Sequence, residues 1–266
     1  MTVVPTDAPP EIPSTKIASA MAPLQMSNTH HLCAGCGHPI AFRLLLEVLS
    51  ELSLETLAIG TAGHGCYTMI ATISDIEFVQ CLHGRSPAVA TGIKRVQPGA
   101  VVFSVQGDGD LASEGLHEIL HAGGRGEKIT CIMLNNGVFG DTGGQMTGST
   151  VIGQRTKTSV EGRDPELHGY PIPVGNLLAQ LPGVAYVARG AVNNAGSIAQ
   201  TKKFLKRAFE TQLAGKGLSF VEILTMCPTG WFMPTAEGPT YLAGTIEQTF
   251  PVGQLKAPSG IGSTEA

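Results

Sequence analysis

Two polar motifs in this sequence combine acidic, amide and glycine residues in a way that suits phosphate and metal binding. Gly-Asp-Gly-Asp at 107–110 follows one apolar run, and Asn-Asn-Gly-Val at 135–138 follows the next. Glycines let backbone N–H groups approach a phosphate, and the start of a following helix adds positive potential. The Asp108 carboxylate would repel a diphosphate unless a hard cation such as Mg²⁺ lay between them, and the Asn136 amide oxygen and the Val138 carbonyl could complete its coordination shell.

Each motif alone has a plainer explanation, because Gly-Asp-Gly is a common turn and Asn-Asn often ends a strand. The two together are more specific, since open α/β sheets bind ligands at the carboxyl ends of adjacent strands. A dinucleotide site is disfavoured, because no G-x-G-x-x-G lies between a strand and a helix and the loop itself carries an acid. The pair resembles the Gly-Asp-Gly…Asn-Asn signature of thiamine-diphosphate enzymes.

Four of the six cysteines have the spacing of a metal site. Cys33 and Cys36 form a C-x-x-C in a glycine-rich turn, Cys66 follows Gly-His-Gly, and Cys227 precedes a proline. One pair and two single thiolates supply the four ligands of a 4Fe–4S cluster, whereas a zinc ribbon usually shows two C-x-x-C pairs. From the residues alone a cluster is favoured, and a four-cysteine zinc site, a redox C-x-x-C or unrelated buried cysteines remain open. The other two cysteines lie within apolar runs and are predicted to be buried structural residues: Cys81 and Cys131.

Alternating strands and helices must position these residues. Short runs that are apolar on successive residues predict strands buried on both faces of a parallel sheet, at 56–60, 78–81, 101–105, 129–134, 184–187 and 219–224. Helices are predicted at 39–52, 87–96, 111–122, 174–181 and 198–213, with Ser86 as the cap of the second. The repetition indicates an α/β fold built on one doubly wound, mostly parallel sheet.

Composition predicts the domain organisation. Residues 1–28 are proline-rich and predicted to be a flexible arm, residues 29–235 a single α/β domain that carries the motifs and cysteines, and residues 236–266 an irregular tail. Between 142 and 173 the chain is polar and glycine-rich without periodicity. A loop of that length inside a domain is usually functional or covers an interface.

Composition and charge also exclude several classes of function. A hydrophobic content of 42% allows a sizeable core, and a formal net charge of −4 provides no electrostatic footprint for nucleic acid or an anionic membrane. No apolar stretch approaches the roughly 20 residues needed to cross a bilayer. The first 23 residues show no secretory signal, so the expected compartment is the reducing cytoplasm, where thiols or metal ligands are expected rather than disulfides.

Six motifs in a fixed order resemble the β subunits of the 2-oxoacid:ferredoxin oxidoreductases. They are C-A-G-C-G-H-P (33–39), G-H-G-C (63–66), L-H-G-R (82–85), G-D-G-D (107–110), N-N-G-V-F-G-D-T-G-G-Q (135–145) and C-P-T (227–229). The resemblance implies the thiamine-diphosphate-binding fold, with Mg²⁺ on Asp108, Asn136 and the Val138 carbonyl. It implies a 4Fe–4S cluster held by Cys33, Cys36, Cys66 and Cys227. By motif position, the residues that would line the thiamine diphosphate are His64, Gly65, Tyr67, His83, Gly109, Asp110, Gly140 and Asp141.

The resemblance makes His83 and Asp141 the expected catalytic residues beside the cofactor. Asp141 departs from the family pattern, which has an apolar or amide residue near the thiazolium. A carboxylate there could tune the cofactor or disfavour an anionic substrate tail. Gly143 stands where some relatives carry a lysine associated with coenzyme A, so no coenzyme A contact is transferred from that position.

The implied reaction is the oxidative decarboxylation of a 2-oxoacid to acyl-coenzyme A and CO₂, with electrons passing through the cluster to ferredoxin. The favoured substrates are 2-oxoglutarate or a branched-chain 2-oxoacid, and pyruvate and aryl pyruvates stay open. The carboxylate that activates the thiamine pyrimidine has no counterpart in this chain. The resemblance therefore implies an α subunit that supplies it, together with γ and ferredoxin-like δ subunits, and the isolated chain is expected to be inactive.

Two alternatives come from other classes of protein. His-Glu-Ile-Leu-His at 117–121 matches the H-E-x-x-H helix of zinc metalloproteases. It is disfavoured because Gly-Gly follows the second histidine and no third ligand lies nearby. A non-catalytic zinc module with four cysteine ligands is the other alternative, and it would leave both strand-end motifs without a role.

Overall fold

A computed structural model describes residues 30–258, so the predicted arm at 1–28 lies outside the described residues. One seven-stranded sheet organises them, in the order β2-β1-β3-β4-β8-β7-β9. All neighbouring pairs are parallel except β7 and β9. The strands of this sheet are β1 (Ala58–Ala62), β2 (Glu77–Gln80), β3 (Val101–Gly107), β4 (Thr130–Asn135), β7 (Val184–Ala191), β8 (Leu218–Leu224) and β9 (Gly253–Lys256), while β5 (Val138–Phe139) and β6 (Gln145–Met146) form a separate antiparallel pair.

Helices cover both faces of the sheet. The helices are α1 (His38–Glu51), α2 (Thr68–Thr72), α3 (Ser86–Val96), α4 (Leu116–Arg125), α5 (Pro165–His168), α6 (Val174–Ala179), α7 (Ala195–Leu213), α8 (Gly238–Tyr241) and α9 (Glu247–Thr249). One apolar core lies under α1 and α7, and a second lies under α3, α4 and α6. Central strands β4 and β8 are buried along their whole length, as expected when both faces are covered. The predicted doubly wound, mostly parallel fold is confirmed.

Local details differ from the sequence-based predictions at two helices. The predicted helix 111–122 is divided into a π-helical turn, Gly109–Glu114, and α4, with Gly115 between them. Ser86 does not cap α3, because it is the first helical residue and its hydroxyl bonds Thr61 Oγ1 at 2.8 Å. Burial of this hydroxyl under the sheet makes it a packing residue instead of a cap.

The long segment 142–173 is ordered around one buried cation. The guanidinium of Arg163 is surrounded by backbone carbonyls, including those of Thr150 at 2.6 Å, Gly169 at 2.8 Å and Tyr170 at 2.8 Å. These bonds connect residues near both ends of the segment, whose only regular elements are the two-residue strand β6 and the four-residue helix α5. Periodicity therefore fails to predict it.

The prediction of an irregular tail at 236–266 is wrong for its described part. Residues 238–249 form α8, a π-helical turn (Leu242–Ile246) and α9, and β9 then pairs with β7 as an antiparallel edge strand. Leu242, Ile246 and Phe250 are buried in the core, which explains why the segment is structured. None of the helices in the described part of the chain is long and apolar enough to cross a bilayer.

Candidate active site

Both polar motifs lie at the carboxyl edge of the sheet, because β3 and β4 are parallel neighbours that end beside each other. Asp108 follows β3 and is only 1% exposed. Its carboxylate accepts hydrogen bonds from the Thr147 hydroxyl at 2.5 Å and from the Asn136 N–H at 3.3 Å. Burial raises the pKa of Asp108 to about 7. No lysine or arginine in the described residues forms a salt bridge with it, so this buried acid has no protein cation as a partner.

Three contacts hold the Asn136 loop in place. Its side-chain oxygen accepts a hydrogen bond from the Val138 N–H at 3.1 Å, and its amide nitrogen lies 3.4 Å from Nε2 of His38. Its backbone carbonyl accepts a hydrogen bond from the Trp231 indole N–H at 2.7 Å. Burial lowers the pKa of His38 to about 4, so the imidazole is neutral and can accept from the amide.

Asp110, the second acid of the Gly-Asp-Gly-Asp motif, is a buried structural carboxylate. It accepts hydrogen bonds from the Gly84 N–H at 2.6 Å, the Tyr67 hydroxyl at 2.8 Å and the Gln106 amide at 3.0 Å. Gly84 lies in the loop after β2, Tyr67 in the loop after β1, and Gln106 within β3 itself. Asp110 therefore joins the walls of the site to one another.

A histidine pair stands at the rim of the site. Nδ1 of His83 lies 3.1 Å from the Glu114 carboxylate and 3.4 Å from Asp110. The His64 and His83 rings are 5.0 Å apart, and Nδ1 of His64 lies 3.2 Å from the Cys81 carbonyl. The carboxylates orient the His83 ring and leave Nε2 as the nitrogen available to a ligand.

One cleft collects the predicted cofactor residues. Asp108, Asn136, Val138 and Cys66 line it, together with His38 and Phe139. No lysine or arginine of the described chain is among its lining residues. All eight predicted thiamine-diphosphate contacts line the same cleft: His64, Gly65, Tyr67, His83, Gly109, Asp110, Gly140 and Asp141.

The four candidate cluster cysteines converge beside this cleft. The Cys36 N–H donates to the Cys33 carbonyl at 3.1 Å, and Gly37 donates to the Met226 carbonyl at 3.0 Å, which places the C-x-x-C turn next to Cys227. A Cβ atom built on Gly140 would lie 3.4 Å from the Cys227 sulfur and 3.7 Å from the Cys66 sulfur. Both sulfurs therefore lie against the same glycine. Burial is the main cause that raises the pKa of three of these thiols: Cys36 to about 11, and Cys66 and Cys227 to about 12.

The spacing of the sulfurs discriminates between two kinds of centre. Zinc–sulfur bonds of about 2.3 Å in a tetrahedron bring four sulfurs to within about 4 Å of one another. Among the described residues, no three of the cysteines have sulfurs that all lie within 4.8 Å of one another. The cysteine arrangement in the described residues is therefore wider than that of a closed tetrahedral zinc site. As predicted, Cys81 and Cys131 are buried within the fold.

The zinc-protease alternative is not supported by the geometry. His117 and His121 are exposed, and the Arg85 guanidinium lies 2.9 Å from His117 and 3.0 Å from the Glu118 carboxylate. A cation at this position repels a metal ion. In residues 30–258 these side chains do not form a metal-ligating group.

Most residues that line this cleft lie in a region that matches a known protein family. Residues 63–223 match the family described as thiamine pyrophosphate enzyme, C-terminal TPP binding domain. The chain is 32% identical over 197 residues to the 2-oxoglutarate synthase subunit KorB of Archaeoglobus fulgidus, covering 74% of this chain and 69% of that protein. The chain belongs to the 2-oxoacid:ferredoxin oxidoreductase β-subunit family.

Other members of the 2-oxoacid:ferredoxin oxidoreductase family show different extents of similarity. The ketoisovalerate oxidoreductase subunit VorA of Methanothermobacter thermautotrophicus is 41% identical over 222 residues, which cover 84% of this chain and 46% of that subunit. The chain thus spans about half the length of this relative. A solved 2-oxoglutarate:ferredoxin oxidoreductase from Magnetococcus marinus, 23% identical, has the same fold, with a TM-score of 0.73 over 91% of this chain and 87% of that one.

Four residues that line or support the cleft were not assigned from the sequence. Thr147 contacts Asp108 from a segment without periodicity, and Gln106 is hidden in an apolar strand. His38 lies within the C-A-G-C-G-H-P motif, which could have marked it. Trp231, the single tryptophan of the chain, is the remaining missed residue.

Proposed function

We propose that the chain is the thiamine-diphosphate-binding subunit of a 2-oxoacid:ferredoxin oxidoreductase. The reaction joins a 2-oxoacid and coenzyme A into acyl-coenzyme A and CO₂ and transfers two electrons to ferredoxin. The main support is the Asp108 carboxylate, which is buried inside the cleft beside Asn136. No lysine or arginine of the described chain lines the cleft to balance its charge. Family membership supports it.

The donor set of the cleft fits Mg²⁺ and a diphosphate. Asp108, Asn136 and the Val138 carbonyl offer hard oxygen ligands, which Mg²⁺ prefers, and a divalent cation offsets the cost of the buried carboxylate. Gly107 and Gly109 line the cleft without side chains, so their backbone is accessible to a diphosphate. A Cβ atom on Gly109 would overlap the Phe139 ring. These residues would hold the metal and diphosphate.

The four converging cysteines would hold the 4Fe–4S cluster. The C-x-x-C turn lies next to Cys227, and the sulfurs of Cys66 and Cys227 both lie against Gly140. The sulfurs are also farther apart than in a closed zinc site. Cys66 lines the thiamine cleft itself. A cluster on these residues would therefore border the cofactor and accept electrons over a short distance.

When bound, thiamine diphosphate supplies the carbanion chemistry of decarboxylation. The chain contributes positioning and shielding. Asp110 fixes the surrounding loops, and the buried Tyr67 closes one wall of the cleft. Glu114 orients His83 so that its Nε2 can exchange a hydrogen bond or proton with a ligand in the cleft.

The favoured substrate class is a branched-chain 2-oxoacid. VorA, at 41% identity, is named as a ketoisovalerate oxidoreductase subunit. The described cleft offers no lysine or arginine to a second carboxylate, and the Asp141 carboxylate would repel one. Partner subunits, an α subunit with the pyrimidine-activating carboxylate and γ and ferredoxin-like δ subunits, would complete the enzyme.

The proposed Mg²⁺ and diphosphate site is tested by measuring Mg²⁺-dependent binding of thiamine diphosphate to the Asp108→Asn variant. Binding is followed by the fluorescence of Trp231, whose indole is bonded to the Asn136 carbonyl. The wild-type chain is expected to respond to thiamine diphosphate only with Mg²⁺ present, and the variant to bind at least about tenfold more weakly, because a metal ligand is lost.

Asp75→Asn is the matched control for this experiment. Asp75 is exposed and precedes β2, so it lies at the amino edge of the parallel sheet, opposite the cleft. The Asp75→Asn variant is expected to bind thiamine diphosphate with the affinity of the wild type. Wild-type affinity in Asp108→Asn would contradict the metal assignment. The cluster is tested in the same preparation, purified without oxygen, by iron and sulfide analysis of the wild type and Cys227→Ala.

A further inference from the structure

Gly140 and Asp141 lie between the two proposed centres. Gly140 packs against the sulfurs of Cys66 and Cys227, where its missing Cβ would lie at 3.7 Å and 3.4 Å. Asp141 is the next residue, and it lines the cleft together with Cys66. The carboxylate of Asp141 therefore stands where the thiamine cleft meets the cysteines.

The charge of Asp141 acts on a sulfur. Asp141 and Cys66 line the same cleft, and Gly140, the neighbour of Asp141, lies against the Cys66 sulfur, so the Asp141 carboxylate is close to this candidate ligand. Asp141 forms no ion pair within the described chain, so no cation from these residues offsets its charge. A carboxylate also has no hydrogen to donate to a thiolate. Toward a thiolate ligand the Asp141 carboxylate therefore acts through its negative charge.

We propose that Asp141 lowers the reduction potential of the iron–sulfur cluster that Cys66 helps to hold. The inference rests on the cluster in the proposed function. A fixed negative charge beside a ligand sulfur opposes the arrival of an electron, because cluster potentials depend on nearby charge and on hydrogen bonds to sulfur.

The step concerned is the uptake of one electron by the cluster. The 2-oxoacid is the electron source, ferredoxin is the acceptor, and no bond to Asp141 forms or breaks. With a lower potential, the reduced cluster is a stronger donor to ferredoxin. Asp141 is exposed, so salt partly screens its effect.

The test compares midpoint potentials of the assembled complex, obtained by redox titration with electron paramagnetic resonance detection of the reduced cluster. Asp141→Asn is expected to shift the midpoint to a more positive value, and the shift should narrow at high ionic strength. Asp141→Glu keeps the charge and should remain near the wild type. Asp75→Asn removes the same charge at the opposite edge of the sheet and should leave the midpoint unchanged.

An unchanged or more negative midpoint in Asp141→Asn would overturn the proposal. If Asp141→Asn and Asp141→Ser both assemble without iron while Asp141→Glu retains it, Asp141 serves cluster assembly and the proposal also fails. Iron analysis of the wild type precedes the titration. A wild type without cluster iron would refute the cluster in the proposed function itself, which separates that failure from the failure of Asp141 as a tuning residue.

Discussion

At the scale of single residues, Asp110 can reach its three donors only because residue 63 has no side chain. A Cβ atom on Gly63 would overlap the Asp110 carboxylate. We expect Gly63→Ala to push this carboxylate away from the Gly84 N–H and the Tyr67 hydroxyl, both of which are buried. The expected loss in the free energy of unfolding is on the order of 3 kcal/mol, measured by urea denaturation.

Gly92→Ala is the matched control for this substitution. Gly92 lies in α3, and a Cβ atom there would meet nothing within 4 Å. Alanine favours a helix over glycine, so a gain of about 0.5–1 kcal/mol is expected. Equal effects of the two substitutions would contradict the steric argument for residue 63.

At the scale of elements, salt bridges on the solvent side connect helices α1 and α7. The Lys202 ammonium lies 2.7 Å from Glu47 and 2.8 Å from Glu51, and Lys206 lies 3.1 Å from Glu51. Hydrogen bonds from Lys202 are the main cause that lowers the pKa of both glutamates. A carboxyl with a lowered pKa in the folded state stabilises the protein above its ordinary pKa, and this stability is lost as the pH falls.

Lys202→Met is therefore expected to reduce the free energy of unfolding by about 0.5–1 kcal/mol at neutral pH, since these side chains are partly exposed. The difference from the wild type should shrink in acid, as the pH falls through the lowered pKa of the two glutamates and they take up protons. Chemical denaturation at neutral and at acidic pH provides the measurement. Lys203→Met, at an exposed neighbouring position, is the control and should change stability little at either pH. A pH-independent loss would point to packing by the Lys202 stem instead.

At the scale of the whole molecule, the last described segment closes the fold over a buried ion pair. Arg189 donates to the Glu222 carboxylate at 2.7 Å, and the guanidinium stacks over the Phe250 ring at 5.3 Å. Phe250→Ala would remove a ring that is 1% exposed and open a cavity beside this pair. We expect a loss of about 3–5 kcal/mol in thermal or urea unfolding.

Thr249→Ala changes the preceding, exposed residue and is expected to stay within about 0.5 kcal/mol of the wild type. A similar loss for both substitutions would show that the helix end, and not the buried ring, determines stability. A negligible loss for Phe250→Ala would mean that this segment does not take part in the cooperative core.

The parts of the fold and the site that could be predicted are those marked by patterns of neighbouring residues. Strands β3 and β4 are continuous apolar runs that end in polar motifs, so their type and their meeting at one edge follow from neighbouring residues alone. Strand β9 has only partly exposed or exposed residues and pairs at the edge of the sheet, so it carries no alternation to detect. Thr147 contacts Asp108 from a position distant in sequence, and Arg163 binds backbone carbonyls, so neither contact is visible in a local pattern of side chains.

The convergence of distant segments on one cleft has a consequence for the order of assembly. The C-x-x-C turn precedes α1, Asp108 follows β3, and Cys227 follows β8, so the proposed ligand groups are spread across almost the entire described chain. Parallel neighbours such as β4 and β8 pair only after the long intervening segment has collapsed, which makes folding slow. If the four cysteines hold the proposed cluster, a nascent chain on the ribosome could complete that site only after β8 has emerged and docked, and cluster loading would follow folding.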